Sequence, residues 1–230
     1  MLFSKEPNPL KVVVLGEGQS GKTCFIDMFL EGKHFIRHSA VDSELLSRTI
    51  SHADNNWSFS FMDIDLQGSM SPSYRRVLNE YIGSADGVVL IYDITAQWSW
   101  DSLIKYTYPH IYHCRNTIFT KDGTEGRMQG VKKRFGCVVV GNKKDMIDED
   151  GSKRQVKKDM VEQWAASQGF RHVEISSNER GEVEDVIRAL VDSVQRARRM
   201  DARDIGDSRR DGEGGMTGWG MKVVKRMTNG

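Results

Sequence analysis

Leu10-Lys-Val-Val-Val-Leu15, Gly16-Glu-Gly-Gln-Ser-Gly-Lys-Thr23 and Cys24-Phe-Ile-Asp-Met-Phe-Leu30 follow one another without interruption. The first piece is short, apolar and rich in β-branched residues, which reads as a buried strand. The second matches G-x-x-x-x-G-K-[ST]. The third reads as the first turns of a helix with a buried face. In that order the pattern has a physical meaning. Backbone N–H groups of Glu17, Gly18, Gln19, Ser20 and Gly21, continuing into Lys22, Thr23 and Cys24, form a concave anion site, and the helix N-terminus adds its positive dipole end. Lys22 is placed to reach the β/γ phosphates of a nucleotide and the Thr23 hydroxyl to ligate Mg²⁺.

Outward from this loop, strand-like and helix-like segments alternate, which predicts βαβ units and an α/β fold with a mainly parallel sheet. The expected strands are 10–15, 45–52, 57–64, 86–92, 135–140 and 171–175. Strands 45–52 and 57–64 flank the polar turn Ala53-Asp-Asn-Asn56 and read as a hairpin. The expected helices are 22–32, 72–83, 97–113, 154–168 and 181–199. In the last, Val183, Val186, Ile187, Leu190, Val191 and Val194 form an apolar stripe, and Ser177 or Asn178 is placed to cap its entry. Residues 1–9 read as an N-terminal extension and 10–199 as the domain, with 116–133 a polar, glycine-rich surface insertion. Residues 200–230 read as a C-terminal tail: 200–215 are low in hydrophobicity, which predicts disorder, and 216–227 combine Trp219 with methionines, valines and basic residues. That second mixture suits docking on the domain, on a partner or weakly on an anionic membrane, beside the plainer reading of a flexible tail.

Composition narrows the function classes. A net charge of +1 over 230 residues draws the chain to neither nucleic acid nor lipid. Three cysteines (Cys24, Cys114 and Cys137) make no disulfide framework, and a reduced, cytoplasmic setting is expected. The N-terminus carries no apolar signal core, position 2 is Leu, and the last cysteine is Cys137, so no covalent lipid anchor is expected. Membrane contact is therefore expected to be weak or partner-mediated.

Three further segments bear on the nucleotide. Gly141-Asn-Lys-Lys-Asp145 follows the strand at 135–140. Asn142-Lys-x-Asp145 at a strand end sets the Asp145 carboxylate to accept two N–H bonds from guanine, whereas adenine would leave it poorly paired. The stem of Lys143 can lie over the base. Glu174-Ile-Ser-Ser-Asn178 follows the last strand, with Ser176 and the Ser177 N–H placed to buttress the base and Asp145. Asp65-Leu-Gln-Gly68 places a carboxylate beside the metal and a glycine N–H near the γ-phosphate.

Together these residues resemble the Ras superfamily of small GTPases across roughly 10–199, helped by Ala85-Asp-Gly-Val-Val-Leu-Ile-Tyr-Asp-Ile-Thr95. The resemblance implies a P-loop NTPase fold with a six-stranded sheet and about five helices, GTP/GDP and Mg²⁺ as cofactors, and two switch loops that meet effectors, activating proteins and exchange factors. Phe35 matches the aromatic that packs near the guanine, and Asn178 stands where the family has lysine. Two further positions, one in each switch loop, depart from the pattern. At the switch I threonine stands Asp42, within Ser39-Ala-Val-Asp-Ser43, so that Ser39, Ser43 or Asp42 itself would have to serve the metal, or the loop does not close. At the switch II glutamine that orients water stands Ser69, too short for that task, followed by Pro72. Gly18 leaves room for an inserted arginine. Two readings follow: a guanine-nucleotide switch that hydrolyses GTP slowly, or a nucleotide-bound adaptor that does not cycle.

The remaining chemistry-bearing side chains receive plain readings. His110, His113 and Cys114 read as a helix end facing solvent rather than a metal site, Cys24 and Cys137 as packed residues, and Trp98 and Trp100 as packing residues or a partner patch.

Overall fold

The computed structural model describes residues 6–33, 47–63, 72–119, 125–127 and 134–219. A six-stranded sheet runs in the order β2-β3-β1-β4-β7-β8. Its strands are β1 (Asn8–Leu15), β2 (Ser47–His52), β3 (Asn55–Asp63), β4 (Gly87–Asp93), β7 (Gly136–Asn142) and β8 (Arg171–Glu174). A separate two-stranded hairpin joins β5 (Thr117–Phe119) to β6 (Glu125–Arg127). All neighbours in the large sheet are parallel except β2, which turns back on β3 as the hairpin at residues 53–54 predicts. β1 is the hub, with Val14 opposite Asp63 on one side and Val89 on the other.

Every residue of β4 and β7 is buried. Continuous apolar runs of this kind belong to parallel strands covered on both faces. One face carries α1 (Lys22–Glu31) and α7 (Arg180–Trp219), packing Phe25, Phe29, Val186, Leu190 and Val194 against Val12, Val14, Phe59 and Val138. The other carries α2 (Pro72–Ser84), α3 (Gln97–Ser102), α4 (Tyr108–Asn116) and α6 (Lys158–Ser167). There Leu78, Ile82, Trp100, Leu103, Ile111 and Val161 cover Val13, Leu15, Tyr92 and Val139. The alternation of Val12 and Val14 with Val13 and Leu15 is the two-residue period of a strand feeding both layers.

Four elements differ from the sequence expectation. The helix expected over 97–113 is three pieces, because a π-helical turn at Leu103–Thr107 separates α3 from α4. That turn inserts an extra residue while keeping Leu103 and Thr107 buried. A short helix, α5 (Lys144–Glu149), follows β7 directly, and α6 begins at Lys158 after a 3₁₀ turn at Gly151–Lys153. The insertion 116–133 is not wholly loop, since β5 and β6 pair within it. Finally, α7 is helical through Trp219, where composition predicted disorder over 200–215. Arg134 fastens part of that extension, its guanidinium lying 3.1 Å from Asp201 Oδ1 and 2.6 Å from Asp204 Oδ2. Among the described residues no helix is long and apolar enough to cross a membrane.

Candidate functional site

The loop after β1 and the loops after β7 and β8 meet at the carboxyl ends of the strands, where open α/β sheets place their ligand crevices. They enclose a cleft of about 450 Å³ lined by Gln19, Gly21, Lys22, Thr23, Cys24, Asn142, Lys143, Asp145, Met146, Ser176, Ser177 and Asn178. Eleven of these twelve are residues that the sequence motifs and the family resemblance expect at the nucleotide; Met146, in the first turn of α5, is the addition.

The glycine-rich loop is held from inside. Lys22 Nζ donates to the carbonyl oxygens of Gly16 at 3.0 Å and Glu17 at 2.9 Å, which stretches the buried lysine back across its own loop. Ser20 closes the loop further, its N–H and hydroxyl both donating to the Glu17 carbonyl. Gln19 takes a left-handed φ of 64° and Gly21 one of 96°. Gly21 is required twice over, because a side chain there would also collide with the Asn142 amide. The Glu17 carboxylate points out of the anion cradle and accepts the Ser102 hydroxyl at the end of α3.

Asn142 joins the three loops. Its Nδ2 donates to the Ser20 carbonyl at 2.8 Å, and its Oδ1 accepts the Ser177 N–H and the Ser177 hydroxyl, each at 2.9 Å. With Asn142 only 3% exposed, these bonds form in low dielectric, where unmade ones are costly. Lys143 follows in a left-handed conformation, and its Nζ lies 2.6 Å from Asp93 Oδ2 at the end of β4.

The loop after β8 departs from the sequence reading. Neither Ser176 nor the Ser177 N–H turns to Asp145: Ser176 Oγ accepts the Asn178 N–H at 3.2 Å, and the Ser177 N–H is taken by Asn142. It is Asn178 that meets Asp145, Nδ2 to Oδ2 at 3.3 Å. The entry to α7 is likewise held differently. Glu182 accepts the Ser176 N–H at 2.7 Å through one oxygen and Lys144 Nζ at 2.8 Å through the other. The Glu182 hydrogen bond, and then its charge, raises the Lys144 pKa. The sequence does not single out Asp93, Ser102 or Glu182, because Lys143, Glu17 and Lys144, the charged partners that tie them to the site, are distant along the chain.

Beneath the site, Tyr92 Oη meets His172 Nε2 at 3.0 Å, and Arg154 holds Glu174 through two bonds of 2.7 and 2.9 Å. Burial raises the Tyr92 pKa and lowers that of His172. Burial also pushes the Glu174 carboxyl up, but the Arg154 bond and charge outweigh it and the net direction is down. His110 and Cys114 do not face solvent as predicted: Cys114 is buried, and His110 Nε2 sits 3.0 Å from Asn79 Oδ1 and 3.4 Å from Cys114 Sγ. Trp100 is buried and Trp98 exposed, while Cys137 is buried and Cys24 only half-buried at the cleft. Phe35, Asp42, Asp65, Gly68 and Ser69 lie outside the described residues, as does 220–227 of the predicted docking segment.

A strand, glycine-rich loop and helix at the carboxyl edge of a parallel sheet covered on both faces define an α/β P-loop nucleotide-binding fold. Within that class, the sequence model of the Ras family matches residues 11–196, and the chain belongs to the Ras family. It is similar to the Ras-related protein Rab-8B of Homo sapiens, 27% identical over 89% of this chain and 86% of the relative. It is 26% identical to a Ras-like protein of Laccaria bicolor, over 85% and 82% of the two chains. It is also 23% identical to the Ras-related protein Rab7 of Cenchrus ciliaris, over 83% and 84%. Membership of this family implies guanine-nucleotide binding.

Proposed function

We propose that this protein is a guanine-nucleotide switch that binds GTP and GDP with Mg²⁺ and hydrolyses GTP slowly. The observation that carries the reading is the Asn142 bridge, which locks the phosphate loop and both base loops around one cleft. The volume of that cleft lies within the range of small-molecule sites, about 300–1,000 Å³. In this reading the phosphates rest on the N–H groups of Glu17 to Cys24, with Gly68 at the γ-phosphate. Lys22 leaves its two carbonyls for the β/γ oxygens. The stem of Lys143 would lie over the base, with Phe35 the sequence candidate near it, and Asp145, turned by Asn178, would accept its N–H groups, with Ser176 and Ser177 supporting the loop. The donor set fits Mg²⁺, a hard cation that favours oxygen: Thr23 lines the cleft with a hydroxyl, and Asp65 and Asp42 are the sequence candidates beside it. When bound, the metal would supply neutralisation of the phosphate charge.

Ser69, at the water-orienting position, is what makes the expected hydrolysis slow. The same residue, with Asp42, favours the second reading, a nucleotide-bound adaptor that does not cycle. In either case effectors, activating proteins and exchange factors would meet the switch segments, and a membrane would be reached through partners.

Chromatography of the nucleotide released from purified protein, followed by single-turnover GTP hydrolysis, tests both readings. Guanine nucleotide with slow turnover supports the switch; bound nucleotide with none supports the adaptor. No guanine nucleotide and no measurable affinity for it sinks both. Lys22→Ala should weaken triphosphate binding by about 10² or more, from loss of a charge-assisted pair of contacts made by a buried lysine. Ser69→Gln should raise intrinsic hydrolysis if switch I closes.

A further inference from the structure

We infer that Asp93, which no family motif assigns to the ligand, is a positioning residue for the bound guanine nucleotide, acting through the side chain of Lys143. The inference rests on the nucleotide reading above and concerns the base end of the same cleft. Asp93 closes β4 and is 7% exposed. One of its oxygens accepts the Thr95 N–H at 2.8 Å and the Thr95 hydroxyl at 2.7 Å, and the other lies 2.6 Å from Lys143 Nζ. The backbone of Asp93 is fixed as well: its N–H donates to Ser99 Oγ at 3.0 Å, and that hydroxyl donates to the Ala96 carbonyl at 2.7 Å. The carboxylate therefore has one orientation, set by the strand end and the turn that follows it.

Lys143 is pinned at its other end by its neighbours. Asn142 is bonded to two loops, and the Lys144 N–H donates to the Ile175 carbonyl at 3.0 Å. The left-handed φ of 69° at Lys143 turns the chain between these anchors. With the Cα and the ammonium both held, the four-carbon stem stands as a wall of the cleft before any ligand arrives. A lysine is among the side chains with most rotamer freedom to lose, and a ligand that must order it binds more weakly for that reason. Asp93 removes that cost in advance. Its contribution falls on the base end, so it acts equally on GDP and GTP, unlike Lys22, which faces the phosphates.

Dissociation of fluorescent GDP and of a non-hydrolysable fluorescent GTP analogue, measured on the full chain, tests this. Asp93→Asn keeps the acceptor for Thr95 but turns an amide toward the ammonium; it should release both ligands about tenfold faster, which corresponds to the loss of one immobilised side chain's advantage. Lys143→Met, which keeps the stem but not the charge, should do the same. The double variant should be no faster than Lys143→Met alone, since the two act through one contact. Thr95→Val, which removes the hydroxyl donor to the carboxylate but keeps the N–H bond that orients it, should leave both rates within twofold. Equal acceleration by Thr95→Val, additive effects in the double variant, or unchanged rates in Lys143→Met would overturn the assignment, the last even if Asp93→Asn fails to fold. Wild-type protein without affinity for either ligand overturns the nucleotide reading itself and this inference with it.

Discussion

Asn142 and Ser20 are 122 residues apart in the chain, yet the Asn142 side-chain amide donates to the Ser20 carbonyl at 2.8 Å in a site shielded from water. Through its oxygen the same side chain also holds Ser177. Asn142→Ala removes three hydrogen bonds and leaves a buried N–H and a buried carbonyl short of partners. At about 1–3 kcal/mol for each buried group left unsatisfied, the loss of nucleotide affinity should reach about 10²-fold or more. Stopped-flow release of fluorescent GDP measures it. Release at the wild-type rate would mean that the loops are held together by something other than this side chain.

Gly136 begins β7 directly beneath α7. A Cβ built there stands 2.5 Å from the Val194 backbone nitrogen and 2.8 Å from its Cα, so relief requires the helix itself to move. Val194 is 1% exposed and packs with Leu190 and Val138, leaving no slack to accept the shift. Gly136→Ala should therefore destabilise by about 2–3 kcal/mol despite adding one methyl group. Urea unfolding gives the value, and a variant as stable as wild type would show that α7 slides on the sheet without cost.

The parts of this architecture that sequence reveals are those written in local pattern. Valine runs announce β1, β4 and β7, the apolar stripe from Val183 to Val194 announces α7, and Gly16 to Thr23 announces the loop between strand and helix. What stays hidden depends on partners that only the fold brings together. Nothing near Asn178 indicates that it, rather than Ser176, turns to Asp145, because Asp145 lies 33 residues away. The extension of α7 into a polar tract is likewise opaque in composition, since it is fastened by Arg134 reaching Asp201 and Asp204 across the chain. The π-helical turn hides for a different reason: one extra residue shifts the helical phase without changing which residue types are apolar.

His172 gives the fold a pH dependence with a definite sign. Burial disfavours the charged ring and lowers its pKa below the ordinary 6.5, while Nδ1 is buried without a hydrogen-bond partner among the described residues. In the unfolded chain the ring protonates near 6.5, ahead of the folded state. Stability should therefore be level above pH 7, fall as pH drops below 6.5, and level again beneath the folded pKa. Burial lowers His110 too, chiefly by desolvation, so both contribute in this window. Glu174, whose pKa is depressed, acts only further down, below its ordinary 4.5. Urea midpoints at pH 7.5, 6.5 and 5.5 should decline, and His172→Gln should flatten part of that slope. A midpoint that does not move over this range would contradict a neutral, buried imidazole.

The Ser102 hydroxyl, at the last residue of α3, donates to the carboxylate of Glu17, the second residue of the glycine-rich loop. Glu17 is 4% exposed, so its carboxylate depends on protein donors in place of water. Its carbonyl meanwhile holds Lys22 and Ser20, which makes this residue the join between the loop and α3. The π-helical turn that starts at Leu103 sets the phase at which Ser102 leaves α3. Ser102→Ala should cost about 1–3 kcal/mol of stability, the range for a buried group that loses a donor, and more than the loss of a neutral hydrogen bond at the surface. Ser102→Asn, which restores a donor, should recover part of it. Because the Glu17 carbonyl also closes the phosphate loop through Ser20, Ser102→Ala should speed nucleotide release too, and Ser102→Asn should slow it again in step with stability. Denaturant unfolding and ligand release measured on the same samples separate the two effects. Full stability in Ser102→Ala would show that the other contacts of Glu17 suffice, and that α3 does not hold the loop.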